Sequence, residues 1–379
     1  MRAMKGWWIP SLAVCVMLTA CSGITASVPA FHPLAQQLSV QQVNAQTPAF
    51  DSGNFWPTQG WRTSTPEAQG MDGARLDAVL EAARQQNLSL HGLLVIRHGY
   101  IVKEKYFPPW TESASHDLHS CTKSFVSALM GIAIDKGFIA DTARLVLGFF
   151  PRSFAHTDTR KRGLTLENLL TMSSGLGWVE ADQTYQTLDD LPGGDWVSYI
   201  LDLPMVTEPG TRFDYSSGNS HILAAAIQQA SGRNLYDFAR ESLFGPLGII
   251  DPRWEKDPGG VPVGGWGLHL SPRDMAKLGY LYLHEGLWEG KRVVSAAWVR
   301  ESTRPHIKAT GGWSYGYQWW VDPDVPLFAA IGRNGQCIFV VPRLDLVVVF
   351  TAHIDSNDTE RDLLKSYIIP ACTVTGISR

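Results

Sequence analysis

A short basic region, Arg2 and Lys5, precedes an apolar run from Trp7 to Ala20. A run of that length fits a secretory signal and is short for a bilayer span, so export is expected. From Phe31 to about Gln59 the apolar positions become isolated among Gln, Ser, Pro and Asn with no sustained period. That pattern predicts a tether; about 30 flexible residues have a typical end-to-end distance of roughly 30 Å. Folded structure is expected to begin near Trp61.

Periodic patterns follow. Leu76 to Arg84 has helical spacing, and two apolar runs, Leu93 to Ile96 and Tyr100 to Phe107, joined at His98-Gly99, predict a β-hairpin. From Cys121 to Lys136 the chain is apolar on nearly every side (Phe125, Val126, Leu129, Met130, Ile132, Ala133, Ile134), and it stops at Lys136-Gly137. A helix apolar all round is a buried one, expected to cross the interior with its N-terminus opening into a cleft. Between about 140 and 300, helical segments at Leu166 to Thr171, Trp196 to Leu201, Ser220 to Gln229 and Leu235 to Leu243 are separated by Gly and Pro turns. Ser271-Pro272, with Asp274 in the first turn, caps a further helix. The last part changes character: Tyr315 to Val321, Leu327 to Ile331, Cys337 to Val341 and Leu346 to Thr351 are β-rich, and Asp358 to Tyr367 reads as a closing helix. Strands at both ends with helices between predict an α/β fold. One sheet is built from the N- and C-terminal segments and flanked by helices, with a central, mostly helical lobe, all within residues 61–379.

Composition narrows the function. A formal net charge of -4 with 18% charged residues argues against a nucleic-acid binder or a polybasic membrane surface. The 14 Trp residues fit either an aromatic-lined cleft or bulky core packing. Of the cysteines, Cys15 lies in the signal, while Cys21 follows Leu18-Thr19-Ala20 and precedes Ser22-Gly23. This stretch resembles a bacterial lipobox, which implies cleavage before Cys21, lipid on its sulfur, and a lipoprotein anchored on the periplasmic or cell-surface side of a membrane. Two acyl chains, at about 0.8 kcal/mol per buried methylene, suffice as an anchor. The alternative is a cut near Val28-Pro29-Ala30 and free secretion. Cys121, Cys337 and Cys372 remain, at irregular spacing, and allow at most one disulfide. No Cys or His cluster has metal-ligand spacing, and His284-Glu285 lacks the second His of a zinc helix, so no metal or other cofactor is expected.

Ser120-Cys121-Thr122-Lys123 is the only Ser-x-x-Lys in the chain. Residues three apart share a helix face, so the Lys amine can reach the Ser hydroxyl. A Ser hydroxyl is a weak nucleophile unless a base takes its proton, and a desolvated, neutral Lys can do so. Moving its pKa to about 7 or 8 requires roughly 4 kcal/mol of differential stabilisation. The helix N-terminus adds its positive end and an N–H for an oxyanion. By itself the motif also fits a capping Ser beside a surface Lys.

The wider context is Gly210-Thr211-Arg212-Phe213-Asp214-Tyr215-Ser216-Ser217-Gly218-Asn219-Ser220-His221, preceded by Leu164 to Leu176 and followed by Leu243-Phe244-Gly245-Pro246-Leu247-Gly248, Asp274 to Gly279, Tyr315 to Trp320 and Gly335-Gln336. Together with Ser-x-x-Lys these segments resemble the penicillin-recognising serine hydrolases. They are most similar to the class C β-lactamase-like branch with its carboxylesterases, D-amino-acid peptidases and 6-aminohexanoate-dimer hydrolases, over nearly all of Trp61 to Thr351. The resemblance implies a β-lactamase/transpeptidase-like fold and an acyl-enzyme mechanism on small esters or amides. Ser120 attacks, Lys123 and Tyr215 shuttle the proton, and the backbone N–H groups of Ser120 and Gln336 hold the oxyanion.

Two departures from the β-lactamase pattern matter. Ser217 stands where those enzymes carry Asn, with Asn219 further on, and Gly332-Arg333-Asn334-Gly335-Gln336 replaces their Lys-Thr-Gly. Both point toward 6-aminohexanoate-dimer hydrolases and esterases and away from efficient β-lactam hydrolysis. Ser217, Asn219, Arg333 and Trp178 are candidate substrate contacts, Arg333 through its planar fork on a carboxylate. The acidic loop Glu180, Asp182, Asp189 and Asp190 offers a site for a substrate amine or is simply solvated. Alternatives are a β-lactamase, a D-amino-acid peptidase, or a catalytically silent protein that binds cell-wall peptides. Gly312-Trp313-Ser314-Tyr315-Gly316, with Asp345 and His353 behind it, fits an α/β-hydrolase in motif order, but Ser314 lacks the strand-to-helix setting of a nucleophile elbow.

Overall fold

The computed structural model describes residues 55–151, 158–180, 188, 190–191, 193–355 and 358–372. The signal, Cys21, nearly all of the predicted tether, Asp182 and Asp189 lie outside these residues. The described strands are β1 (Arg62–Thr63), β2 (Leu90–Arg97), β3 (Tyr100–Tyr106), β4 (His116–Asp117), β5 (Arg253–Trp254), β6 (Leu268–Leu270), β7 (Leu287–Trp288), β8 (Lys291–Arg292), β9 (Ile307–Lys308), β10 (Ser314–Tyr315), β11 (Trp320–Asp322), β12 (Leu327–Gly332), β13 (Gln336–Val341) and β14 (Leu346–Ala352). The helices that matter below are α1 (Gly73–Gln85), α2 (Thr122–Asp135), α3 (Leu166–Leu170), α4 (Trp196–Asp202), α5 (Ser217–Ser231), α6 (Leu235–Ala239), α7 (Pro272–Leu283), α8 (Ala296–Ser302) and α9 (Thr359–Leu363).

Nine strands form one sheet in the order β1-β3-β2-β14-β13-β12-β11-β10-β9. The join β2 to β14 unites the two ends of the chain, as the sequence predicts, and every pairing except β1 with β3 is antiparallel. Both faces are covered, so the central strands read as apolar runs without a polar side. Leu94, Ile96, Ile338, Val340, Val347 and Val349 face α2, α7 and the helical lobe; Leu93, Val95, Cys337, Phe339, Val348 and Phe350 face α1 and the closing helix. The hairpin turns at His98 and Gly99, with φ of 51° and 76°. Two successive left-handed residues give the tight turn that matches strand twist.

The structure departs from the expected boundaries in three places. α7 belongs to the sheet and not to the lobe, since it packs on β13 and β14. A Cβ on Gly279 would sit 2.8 Å from Val347 Cγ1 and 2.9 Å from Ile338 Cγ2, so only glycine allows that approach. The predicted strand Tyr315 to Val321 is split into β10 and β11 by Gln318 in a left-handed conformation, φ 62°. Its side chain accepts from Ser220 Oγ and donates to the carbonyls of Leu169 and Leu170, while its own carbonyl accepts from Ser124 Oγ. These bonds tie sheet, α2, α3 and α5 together, and a continuous ladder could not make them. Order also begins before Trp61: the Trp56 ring lies 5.3 Å from that of Trp288 and 5.7 Å from that of Tyr280.

Candidate active site

α2 is buried along every residue from Thr122 to Ala133, which fixes its axis in the interior. A 3₁₀ turn, His119–Cys121, leads into it. Asp117 clamps that turn, accepting from the His119 backbone at 2.8 Å and lying 3.1 Å from its ring Nδ1. Ser120 therefore stands at the mouth of α2. Gly332, at the end of β12, packs over it: a Cβ there would be 3.1 Å from Ser120 N.

Lys123, 1% exposed, is the centre of the site. Its Nζ lies 2.8 Å from Ser120 Oγ, 2.9 Å from Ser217 Oγ and 2.8 Å from the carbonyl of Gly265. Burial brings its pKa down to about 8, against the pull of the Glu180 charge. The three partners are not equivalent. A carbonyl only accepts, and the Ser217 hydroxyl gives its own proton to Glu180 Oε1 at 2.5 Å, so both must receive an N–H from the lysine. When Lys123 is neutral, its lone pair is left facing Ser120, the one partner able to return a proton.

Glu180 does not lie in a solvated loop. Its carboxylate turns inward, and Oε2 accepts from the Ser217 backbone at 2.7 Å and from Trp178 Nε1 at 2.5 Å. An acid so committed is a poor receptor for a substrate ammonium, and of its predicted companions Asp190 is exposed while Asp182 and Asp189 lie outside the described residues. Trp178, 5% exposed, packs on Gly218 and holds Glu180, so it braces the site from behind. Asn219 is fully buried, its backbone N–H on Ser216 Oγ and its amide turned to Met172. Neither Trp178 nor Asn219 is placed as a substrate contact. Asn219 lies in the first turn of α5, which faces the core, and Trp178 packs on that turn at Gly218; sequence spacing alone did not reveal either.

The half-buried Tyr215 ring lies 4.8 Å from Lys123 Nζ. Trp320 of β11 stacks on it at 5.6 Å with 24° between planes, and Tyr315 and Phe213 meet it at 6.2 and 6.4 Å. Part of the aromatic content thus lines the site, although Trp288 and Trp319 are wholly buried. Arg333 is exposed in the turn Arg333–Gly335, close enough to His119 to hold that imidazole's pKa down, after the larger effect of burial. Gln336 opens β13. Its carbonyl accepts from Cys121 Sγ at 3.1 Å, and its side chain donates to the Ala352 carbonyl at 2.7 Å. Gly332, paired with Gln336 across the β12–β13 ladder, lies against Ser120 N.

Sequence reasoning missed Gly265. A Cβ there would be 2.8 Å from Ser217 Cβ, so glycine is required for the carbonyl to reach Lys123; the adjacent pair Gly264-Gly265 was the available signal. Cys121, Cys337 and Cys372 are buried free thiols. Among the described residues no group of His, Cys, Asp and Glu is gathered to hold a metal ion. Ser314 begins a two-residue strand paired on both sides, with β9 and β11, so a nucleophile elbow is not formed there.

The chain is similar to known hydrolases and to a penicillin-binding protein homolog. The chain is 26% identical over 333 residues to the 6-aminohexanoate-dimer hydrolase of Paenarthrobacter ureafaciens, spanning 81% of this chain and 85% of that protein. A family VIII carboxylesterase superposes with a TM-score of 0.64 at 15% identity, over 81% of this chain and 98% of the other. A penicillin-binding protein homolog from Caulobacter crescentus does so with a TM-score of 0.62 at 16% identity, over 79% and 98%. These superpositions establish the fold. The sequence profile described as Beta-lactamase matches residues 68–372, most of the chain, and the protein belongs to that family.

Proposed function

We propose that the protein is a serine hydrolase that cleaves small esters or amides through an acyl-enzyme on Ser120. The observation that carries this reading is the buried Lys123 amine, 2.8 Å from Ser120 Oγ with its other hydrogen bonds committed elsewhere. Neutral Lys123 takes the Ser120 proton as Oγ bonds to the substrate carbonyl carbon. The resulting oxyanion is held by the Ser120 N–H and an amide of the segment Gly332 to Gln336. Collapse breaks the bond to the alcohol or amine, which leaves with a proton delivered from Lys123 by way of the Tyr215 phenol. Water then attacks the acyl-enzyme, giving up a proton along the same path, and Ser120 is regenerated with release of the acid.

The relatives place ester and amide cleavage on this scaffold, and the segment Gly332 to Gln336 offers no lysine for a β-lactam carboxylate. Arg333 is the cation in that segment, and its planar guanidinium suits the carboxylate of an acidic substrate. A panel of p-nitrophenyl esters, aminohexanoate oligomers, D-amino-acid amides and a chromogenic cephalosporin is expected to show turnover of the first two classes and slow cephalosporin hydrolysis. Covalent labelling by an active-site phosphonate is expected to vanish in Ser120→Ala and persist in Ser314→Ala. The reverse pattern would move the nucleophile. No turnover of any substrate would favour a peptide-binding role.

We also propose that the mature chain begins at a lipid-modified Cys21, as Leu18-Thr19-Ala20-Cys21 supports. Mass spectrometry of the mature N-terminus checks this; an unmodified terminus near Ala30 would replace it with free secretion.

A further inference from the structure

We infer that Glu180 is a positioning residue for acylation: by holding the Ser217 proton it makes Ser217 an acceptor for Lys123 and so directs the lysine lone pair at Ser120. The inference rests on the reading of Ser120 and Lys123 as the acylation pair. It follows from hydrogen-bond direction. A Ser hydroxyl has one proton, and the carboxylate, which only accepts, claims it at 2.5 Å. The second carboxylate oxygen anchors the Ser217 N–H and is itself fixed by Trp178 Nε1. With Glu180 removed, Ser217 is free to turn its proton toward Lys123 and accept nothing from it, and the lone pair then has two places to point.

Glu180 also carries charge into the site. Lys123 is faced by Glu180, by the Tyr215 ring and by the Cys121 thiol, and Glu180 is faced in turn by the Tyr315 phenol. Among these the carboxylate is the group that favours the charged lysine most strongly. Its loss therefore lets Lys123 become neutral at lower pH.

The test is Glu180→Gln, near in shape but uncharged and able to donate. The expected result is a shift of the acid limb of kcat/KM for a p-nitrophenyl ester to lower pH, with a plateau lowered about tenfold or more, carried by kcat and not by KM. A merely structural role would lower the amount of folded enzyme but leave the limb in place. Ser217→Ala is the second arm and decides if Glu180→Gln does not fold: the plateau is expected to fall by a comparable factor, because Lys123 loses the acceptor. A Glu180→Gln profile that superimposes on wild type, or a Ser217→Ala enzyme with unaltered kcat, overturns the inference. Ser120→Ala separates the two levels of the argument. If it keeps phosphonate labelling, the acylation pair itself is wrong; if it loses labelling while Glu180→Gln is indistinguishable from wild type, Glu180 alone is misassigned.

Discussion

Lys123 Nζ lies 2.9 Å from Ser217 Oγ, a contact between residues 94 positions apart that decides how the lysine is oriented. The serine three residues earlier in the chain is the proposed nucleophile, and the distant serine gives its proposed base a direction. Lysine deprotonation in this site is therefore expected to be visible in the kinetics.

Burial brings Lys123 to about 8, and only the neutral amine can accept the Ser120 proton. Ester kcat/KM should rise with pH through a midpoint near 8 and level off above it, since protonation below that value removes the base. A pH profile of the free enzyme checks this. A midpoint below 6 would assign the base to another group.

Lys123→Arg retains charge and length but cannot become neutral in a protein. Its activity should fall by roughly a thousandfold, within the range for loss of a general base. Single-turnover acylation rates measure it directly, and a loss smaller than tenfold would show that Ser120 is activated by something else.

Trp320 stacks on Tyr215 at 5.6 Å and helps keep that ring beside Lys123. An aromatic pair contributes about 0.5–1.5 kcal/mol beyond area burial, so Trp320→Leu should lower kcat by roughly two- to tenfold. The melting temperature should fall only slightly, because Trp320 is half-buried. Unchanged kcat would mean that the other neighbours of Tyr215, Tyr315 and Phe213 among them, suffice to hold it.

Glu360 is fully buried beside Gly335, and neither carboxyl oxygen has a hydrogen-bond partner among the described residues. Burial raises its pKa from 4.5 to about 7, with the Asp358 charge adding to the rise. The folded state thus favours the protonated acid. Stability from this group is fully present below 4.5, falls as pH rises toward 7 and is constant above. Glu360→Gln should remove that dependence and add up to about 3 kcal/mol above pH 7. Urea unfolding at pH 4.5, 6 and 8 is the measurement; parallel curves for wild type and variant would show that the carboxyl finds a partner.

Much of the fold could be read from the chain because its determinants are local. A helix apolar on every side had to be α2, and two apolar runs around His98-Gly99 had to be the β2–β3 hairpin. A Ser and a Lys three apart at the start of a buried helix share a face whatever surrounds them. Periodicity and i, i+3 spacing carry that information. They carry nothing about which side chain meets Lys123 from across the fold. Glu180 meets Ser217 over 37 positions and Gly265 meets Lys123 over 142, and both contacts exist only because α5 and the Gly264-Gly265 segment pack against α2. The same packing turned Trp178 and Asn219 inward, while contacts with β13 and β14 put α7 on the sheet. The sequence by itself determined the proposed nucleophile, its proposed base and the elements that hold them. Tertiary structure alone decided the base's orientation, because hydrogen-bond direction depends on partners that no local pattern can specify.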